Sequence, residues 1–142
     1  MLKNIPKNLS PELVKVLMEM GHGDEIVIAD GNFPSARIAK KLIRADGLGG
    51  NEILESILKV FPLDCKYSEN QVFLMKVADG DDYKPEIWEE YKKTLDESKE
   101  DYSIGYIERF DFYERAKDAF AVIATGEEAL YANVIIKKGV VL

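Results

Sequence analysis

The sequence contains one histidine, His22, set in "MGHGDEIVIADGNFP" (residues 20–34) between two glycines and ahead of an apolar run that ends in an aspartate. Imidazole is the only side chain whose ordinary pKa, about 6.5, lets it both give and take a proton near neutrality. The flanking glycines leave the ring unobstructed and open unusual backbone angles. His22 is therefore a candidate proton carrier, the alternative being a structural or merely exposed histidine. Asp30 follows the apolar run and precedes "GNFP". It is either the cap of an Asp-Gly turn or a ligand group at the carboxyl end of a buried strand, the usual binding edge of an open α/β sheet. "YIERFDFYERA" holds Arg109 and Arg115 with aromatic rings between them, an arrangement that serves polar ligands as well as surface ion pairs. "ALYANVIIKKG" sets Tyr131 and Asn133 ahead of a β-rich run. Their hydroxyl and amide suit the hydroxyls of a sugar, although asparagine before a strand also serves as a plain turn residue.

The remaining chemistry is narrowed by what the chain lacks. "ADGLGGN" (45–51) is glycine-rich but has neither GxGxxG spacing nor a P-loop lysine, which argues against a phosphate cradle. One histidine and one cysteine make a zinc site improbable, so no metal is expected. No nucleophile elbow supports a Ser-His-Asp triad. Cys65 reads as a packing residue, "DESKED" (96–101) as a solvated helix end and Lys137–Lys138 as a surface pair. Acid–base chemistry without metal, nucleotide or covalent nucleophile is what remains.

The elements that must position these groups are legible as patterns. Ser10-Pro11-Glu12 combines a hydroxyl cap, a proline preset for the first turn and an acid at the positive end of the helix dipole. Leu13, Val16, Leu17 and Met20 follow at helical spacing, with Gly21 as the stop. "EIVIA" (25–29) is a continuous, β-branched apolar run, the mark of a strand covered on both faces. Further helices are expected over "NEILESILKVF" (51–61), through Ile53, Ile57 and Phe61, and over "KPEIWEEYKKTLDESKED" (84–101), with Ile87, Trp88, Tyr91 and Leu95 on its buried stripe. A fourth is expected over "RFDFYERAKD" (109–118). "QVFLMKVA" (71–78), "AFAVIAT" (119–125) and "NVIIKKG" (133–139) read as strands. Helices alternating with buried strands predict an α/β fold: one three-layer α/β/α domain over 1–142, with a central mixed, largely parallel sheet.

Composition bounds the partners. The 142 residues are long enough for a proper core, and 46% hydrophobic with 32% charged is globular. A net charge of −7 argues against nucleic acid and against an anionic membrane surface. No stretch reaches the ~20 apolar residues of a spanning helix, and the polar start "MLKNIPKNLSPE" is no signal peptide. With a single cysteine the expected setting is a reducing cytoplasm.

One geometric difficulty follows from the strand. If residues 25–29 are extended at ~3.3 Å each, His22 and Asp30 lie roughly 15–20 Å apart, too far to touch one small ligand. Either the two do not cooperate, or His22 of one subunit faces Asp30 of a neighbour. The second reading is preferred and predicts a site shared between subunits.

Taken together, "GHGDEIVIADGNFP", "IRADG", "RFDFYERA", "AFAVIATGE" and "YANVIIKKGV" resemble the fucose mutarotase and ribose pyranase family, in order and nearly end to end. "RF.FYERA" with Arg109, and Phe33-Pro34 after the acidic loop, resemble its fucose branch. The resemblance implies a cofactor-independent isomerase that interconverts the α and β anomers of a reducing sugar, L-fucose foremost. It implies catalytic roles for His22 and Asp30, and sugar contacts from Asp30, Arg109, Tyr131 and Asn133. It further implies a ring-shaped homo-oligomer, a decamer of stacked pentamers with sites between adjacent subunits. Gly31 and Asn32 depart from the branch, which usually carries alanine and in some members histidine there, and Gly31 is expected to loosen the loop. The rival readings are a pyranase converting ribose between ring sizes and a sugar-binding accessory protein without catalysis.

Overall fold

In a computed structural model covering residues 1–142, eleven elements follow one another along the chain. They are α1 (Pro11–Glu19), β1 (Glu25–Ala29), α2 (Ser35–Ile38), β2 (Leu42–Ala45), α3 (Gly50–Leu58), β3 (Val72–Met75), α4 (Ile87–Glu97), β4 (Ile104–Ile107), α5 (Arg109–Asp118), β5 (Ala121–Thr125) and β6 (Val134–Lys137). The six strands form one sheet in the order β2-β5-β1-β6-β3-β4. β1 and β2 both pair with β5 in parallel, as β3 does with β4, whereas β6 runs antiparallel to both of its neighbours. The sheet is thus mixed and mostly parallel, as the sequence predicts.

The strand alternation divides the core into two layers. Ile26 and Ile28 of β1 face one side, with α1 (Leu13, Val16, Leu17), α3 and α4. Val27 and Ala29 face the other, with α2 (Ile38) and α5 (Phe112, Ala116). This is the α/β/α sandwich expected of strands apolar on both faces. Each fully buried Ile or Leu here contributes about 1.5–3 kcal/mol relative to an exposed one. No helix is long and apolar enough to cross a membrane.

α1 begins as the sequence predicts: the Ser10 hydroxyl accepts from the Leu13 N–H at 3.2 Å, with Pro11 in the first turn. Its end differs. Met20 turns extended, and the left-handed glycine is Gly23 (φ +86) and not Gly21. α3 stops at Leu58, ahead of the predicted Phe61, and α4 occupies the middle of its predicted span. Trp88 is only half-buried, whereas Ile87, Tyr91 and Leu95 are buried.

Three elements were not foreseen. β2 and β4 are edge strands with mixed exposure, and so lack the apolar run that reveals a central strand. α2 is a single turn. Cys65 is exposed, correcting the expectation that it packs. It sits in an irregular loop between α3 and β3, where a small apolar residue has no layer to enter.

Candidate functional site

The candidate residues fall at opposite ends of β1. Asp30 follows its carboxyl end, beside the carboxyl ends of β5 and β2 and the start of β6. His22 precedes its amino end, beside the last residues of β6. Five residues of extended strand between them set a gap of about 16 Å or more.

At the first end, Asp30 is buried, and its N–H and both carboxylate oxygens each hold a hydrogen bond. Its N–H donates to Asn133 Oδ1 at 2.7 Å, and Asn133 Nδ2 donates back to Asp30 Oδ2 at 3.1 Å. Asp30 Oδ1 accepts from the Asn32 N–H at 3.0 Å. Burial pushes the Asp30 carboxyl above the ordinary carboxylate range, prevailing over the hydrogen bonds from Asn32, Phe33, Ala132 and Asn133 that pull it down. The turn reading and the ligand reading of Asp30 are thus compatible: it caps its turn and still lines a cavity of about 530 Å³, together with Phe33, Ser35, Arg37, Arg44 and Asp46. Ser35 Oγ is buried with no hydrogen-bond partner. Gly31 is tied to the segment after β5. Its N–H donates to the Glu127 carbonyl at 2.8 Å, and a Cβ there would approach that carbonyl to 3.3 Å.

Tyr131 and Asn133 are placed by α4. Tyr131 has a left-handed backbone, φ 56, unusual for a residue with a Cβ. Trp88 Nε1 donates to the Tyr131 carbonyl at 2.8 Å, and the Tyr91 hydroxyl donates to the Ala132 carbonyl at 2.7 Å. Trp88 and Tyr91 are three apart on one helix, so they share a face and grip successive carbonyls. The Tyr131 hydroxyl donates to Asp81 Oδ2 at 3.1 Å and accepts from the Ala78 N–H at 3.3 Å, while its ring stacks on Tyr83. Asn133 is buried, and its carbonyl oxygen is committed to Asp30.

Arg109 opens α5 and is exposed. Its Nε donates to the Tyr113 hydroxyl at 3.2 Å, and Tyr113 packs edge-on against Phe33, three residues after Asp30. Arg115 belongs elsewhere: it forms an ion pair with Glu25, Nη2 to Oε2 at 2.6 Å, and lies 3.7 Å above the Phe73 ring.

At the second end the structure adds groups that the sequence reading missed. His22 Nε2 lies 2.9 Å from Asp64 Oδ1. The Asp64 side chain is 4% exposed and the imidazole 43%. Ser68 donates its hydroxyl to Asp64 Oδ2. Burial by itself would raise the Asp64 carboxyl, but hydrogen bonds from Ser68 and His22, with the charges of His22 and Lys137, hold it below the ordinary range. Tyr67 packs against the imidazole with ring centroids 5.0 Å apart.

The glycines on either side of His22 are both hydrogen-bonded, and Gly23 takes a left-handed backbone, φ +86. The Gly21 N–H donates to Asp24 Oδ2 at 2.7 Å, and the Gly23 N–H to the Lys138 carbonyl at 2.8 Å. The sequence signal for Asp64 was an aspartate four residues before a serine in "LDCKYS". With His22 42 positions away, only the fold could reveal the pairing.

Comparisons with known proteins agree with this architecture. A family model described as the RbsD / FucU transport protein family matches residues 3–141. The fucose mutarotase of Danio rerio is 51% identical over 146 residues, covering 99% of this chain and 94% of that protein. The crystal structure of the fucose mutarotase from Streptococcus pneumoniae in complex with L-fucose superposes with a TM-score of 0.94 at 55% identity, covering 99% of this chain and 100% of that one. Bacillus subtilis RbsD, solved in complex with D-ribose, covers both chains fully but reaches only 26% identity and a TM-score of 0.73. With that gradient of likeness, the chain belongs to the RbsD / FucU transport protein family, on the side of its fucose mutarotases.

Proposed function

We propose that this protein is a cofactor-independent L-fucose mutarotase that interconverts the α and β anomers by opening and reclosing the sugar ring. The observation that carries this is the full-length likeness to a fucose mutarotase bound to L-fucose. The chemistry also fits a chain whose one imidazole stands half-exposed against a buried carboxylate.

In the proposed reaction His22 takes the proton of the anomeric hydroxyl. The bond from C1 to the ring oxygen then breaks, its electron pair goes to the ring oxygen, and C1 becomes an aldehyde. The imidazolium returns the same proton to the ring oxygen, so no proton is gained or lost. Both oxygens are attached to C1, which lets a single nitrogen serve each in turn. Rotation about C1–C2 and the reverse steps close the other anomer. Asp30 accepts from sugar hydroxyls and assists proton removal, its raised pKa suiting that exchange. Arg109 donates from its free nitrogens, and Tyr131 and Asn133 orient the sugar.

The separation of His22 from Asp30 supports a site assembled from two subunits; a decamer of stacked pentamers follows from the family resemblance, and a cytoplasmic setting from the single cysteine. L-Fucose is neutral, so a chain of net charge −7 does not repel it.

The test is NMR saturation transfer between the α and β anomeric protons of L-fucose. Wild type is expected to accelerate exchange, and His22→Ala to lose it by about 10²–10⁴-fold. Mixed assemblies of His22→Ala and Asp30→Asn subunits should regain activity in about a quarter of their sites by random assortment around a symmetric ring. Fucose binding with exchange left at the spontaneous rate would make the protein a binding module, and faster exchange on D-ribose would make it a pyranase. No recovery on mixing would refute the shared site.

A further inference from the structure

We infer that Asp81, in the loop between β3 and α4, is a positioning residue that turns the Tyr131 hydroxyl into a hydrogen-bond acceptor for the sugar. This rests on the reading of Tyr131 as a residue that orients the sugar.

Tyr131 is held at both ends. Its backbone is left-handed, φ 56, and its carbonyl accepts from Trp88 Nε1 at 2.8 Å. Its ring stacks on Tyr83, with centroids 6.0 Å apart and planes inclined by 27°. The hydroxyl donates to Asp81 Oδ2 at 3.1 Å and accepts from the Ala78 N–H at 3.3 Å. A phenol has one proton to give, and a carboxylate only accepts, so the direction of the Asp81 contact is fixed. With its proton on Asp81 and the Ala78 N–H donating to it, the hydroxyl keeps only acceptor capacity for a third partner.

The carboxylate is set by the turn that carries it. The Asp81 N–H donates to the Ala78 carbonyl at 3.0 Å, across Gly80 with its left-handed backbone, φ +84. Asp81 Oδ1 accepts from the Tyr83 N–H at 2.9 Å. One carboxylate oxygen is thus anchored on the backbone of its own loop and the other on Tyr131. Ala78, Asp81 and Tyr83 bind one another and Tyr131, so turn and tyrosine form a single unit.

The candidate site is otherwise short of open acceptors. Arg109 is a pure donor. Asn133 Oδ1 is held by the Asp30 N–H, and the two Asp30 oxygens already accept from Asn32 and Asn133. A tyrosine free to rotate its proton could meet a sugar hydroxyl as either donor or acceptor. Asp81 removes that choice before the sugar arrives. A sugar hydroxyl that gives its proton to Tyr131 then presents its lone pairs to a donor such as the Arg109 guanidinium.

Calorimetric titration with L-fucose, and with analogues carrying fluorine in place of the hydroxyl at C2, C3 or C4, reads this polarity. Fluorine has no proton to donate. In wild type, the analogue fluorinated at the hydroxyl that meets Tyr131 should bind about 10-fold more weakly than fucose, and in Tyr131→Phe that penalty should vanish. Asp81→Ala, a change on an exposed loop, should raise the Kd and KM for fucose about 3–10-fold with kcat nearly unchanged, the mark of a contact made equally before and during ring opening. Added to Tyr131→Phe, it should change neither constant further. Unchanged affinity in Asp81→Ala would overturn the inference. So would independent, additive effects of the two substitutions, or a wild type that tolerates fluorine at every position as well as Tyr131→Phe does. If wild type shows the expected binding pattern but leaves anomer exchange at the spontaneous rate, the mutarotase reading falls and the role of Asp81 in binding stands.

Discussion

Gly50→Ala tests the clamp that α4 places on residues 131–132. Gly50 opens α3, and a Cβ built there would lie 2.3 Å from the Tyr91 hydroxyl and 3.4 Å from its ring carbon Cζ. Tyr91 is 1% exposed, so the ring cannot swing into solvent to relieve the overlap. Overpacking of this kind costs about 1–3 kcal/mol. Pushing the hydroxyl off the Ala132 carbonyl strands a buried acceptor and donor for about 1–3 kcal/mol more. Replacing glycine in a helix returns at most about 1 kcal/mol. The net expectation is a loss of about 2–4 kcal/mol for Gly50→Ala.

Tyr91→Phe gives the control. It removes the clashing oxygen, sacrifices one hydrogen bond for about 1–2 kcal/mol, and leaves Cζ at an ordinary contact distance. Added to Tyr91→Phe, the Gly50→Ala change should then be nearly neutral, a coupling of about 2–4 kcal/mol between the two sites. Urea unfolding of the four proteins at one fixed protein concentration measures the cycle, the fixed concentration being needed because assembly contributes to apparent stability. If the two changes add independently, or if Gly50→Ala alone is as stable as wild type, the steric argument is wrong. Because Tyr91 holds the carbonyl between Tyr131 and Asn133, Gly50→Ala should also weaken fucose binding without touching any candidate ligand residue.

The two buried carboxylates should leave opposite marks on stability against pH. The pKa of Asp64 is lowered in the folded state, so its contribution is present above its unfolded pKa, about 3.9, and is lost as pH falls through the folded value below that. Asp30 is raised, so the folded state holds its proton longer, and its contribution declines as pH rises from about 3.9 through the higher folded value. Denaturation midpoints across acid pH should show Asp64→Asn losing most at neutrality, and Asp30→Asn flattening the decline above pH ~4; identical profiles for both variants would contradict this. Arg115→Ala breaks the Glu25 pair and the contact with Phe73, at partial exposure, and should cost about 1–2 kcal/mol in urea with anomer exchange unchanged. A selective loss of exchange in that variant would move Arg115 from scaffold to site.

The sequence by itself determined the elements whose signals are local. The Ser10-Pro11-Glu12 cap started α1, and the β-branched run 25–29 gave β1. The aromatic and arginine pattern 109–118 gave α5, and alternation of such elements gave the α/β class. It also singled out His22 and Asp30 by residue type, and their placement at opposite ends of one strand by the fixed rise of extended chain. Edge strands β2 and β4 escaped because one side of each meets solvent and the apolar run dissolves. Only the tertiary structure decided which groups face one another. Asp64 reaches His22 across 42 residues, Asn133 reaches Asp30 across 103, and Trp88 and Tyr91 seize the carbonyls at 131 and 132. Propensity and periodicity report on neighbours within a few residues. Hydrogen bonds between loops depend on strand order and register, which arise only when the whole sheet closes around its buried strands.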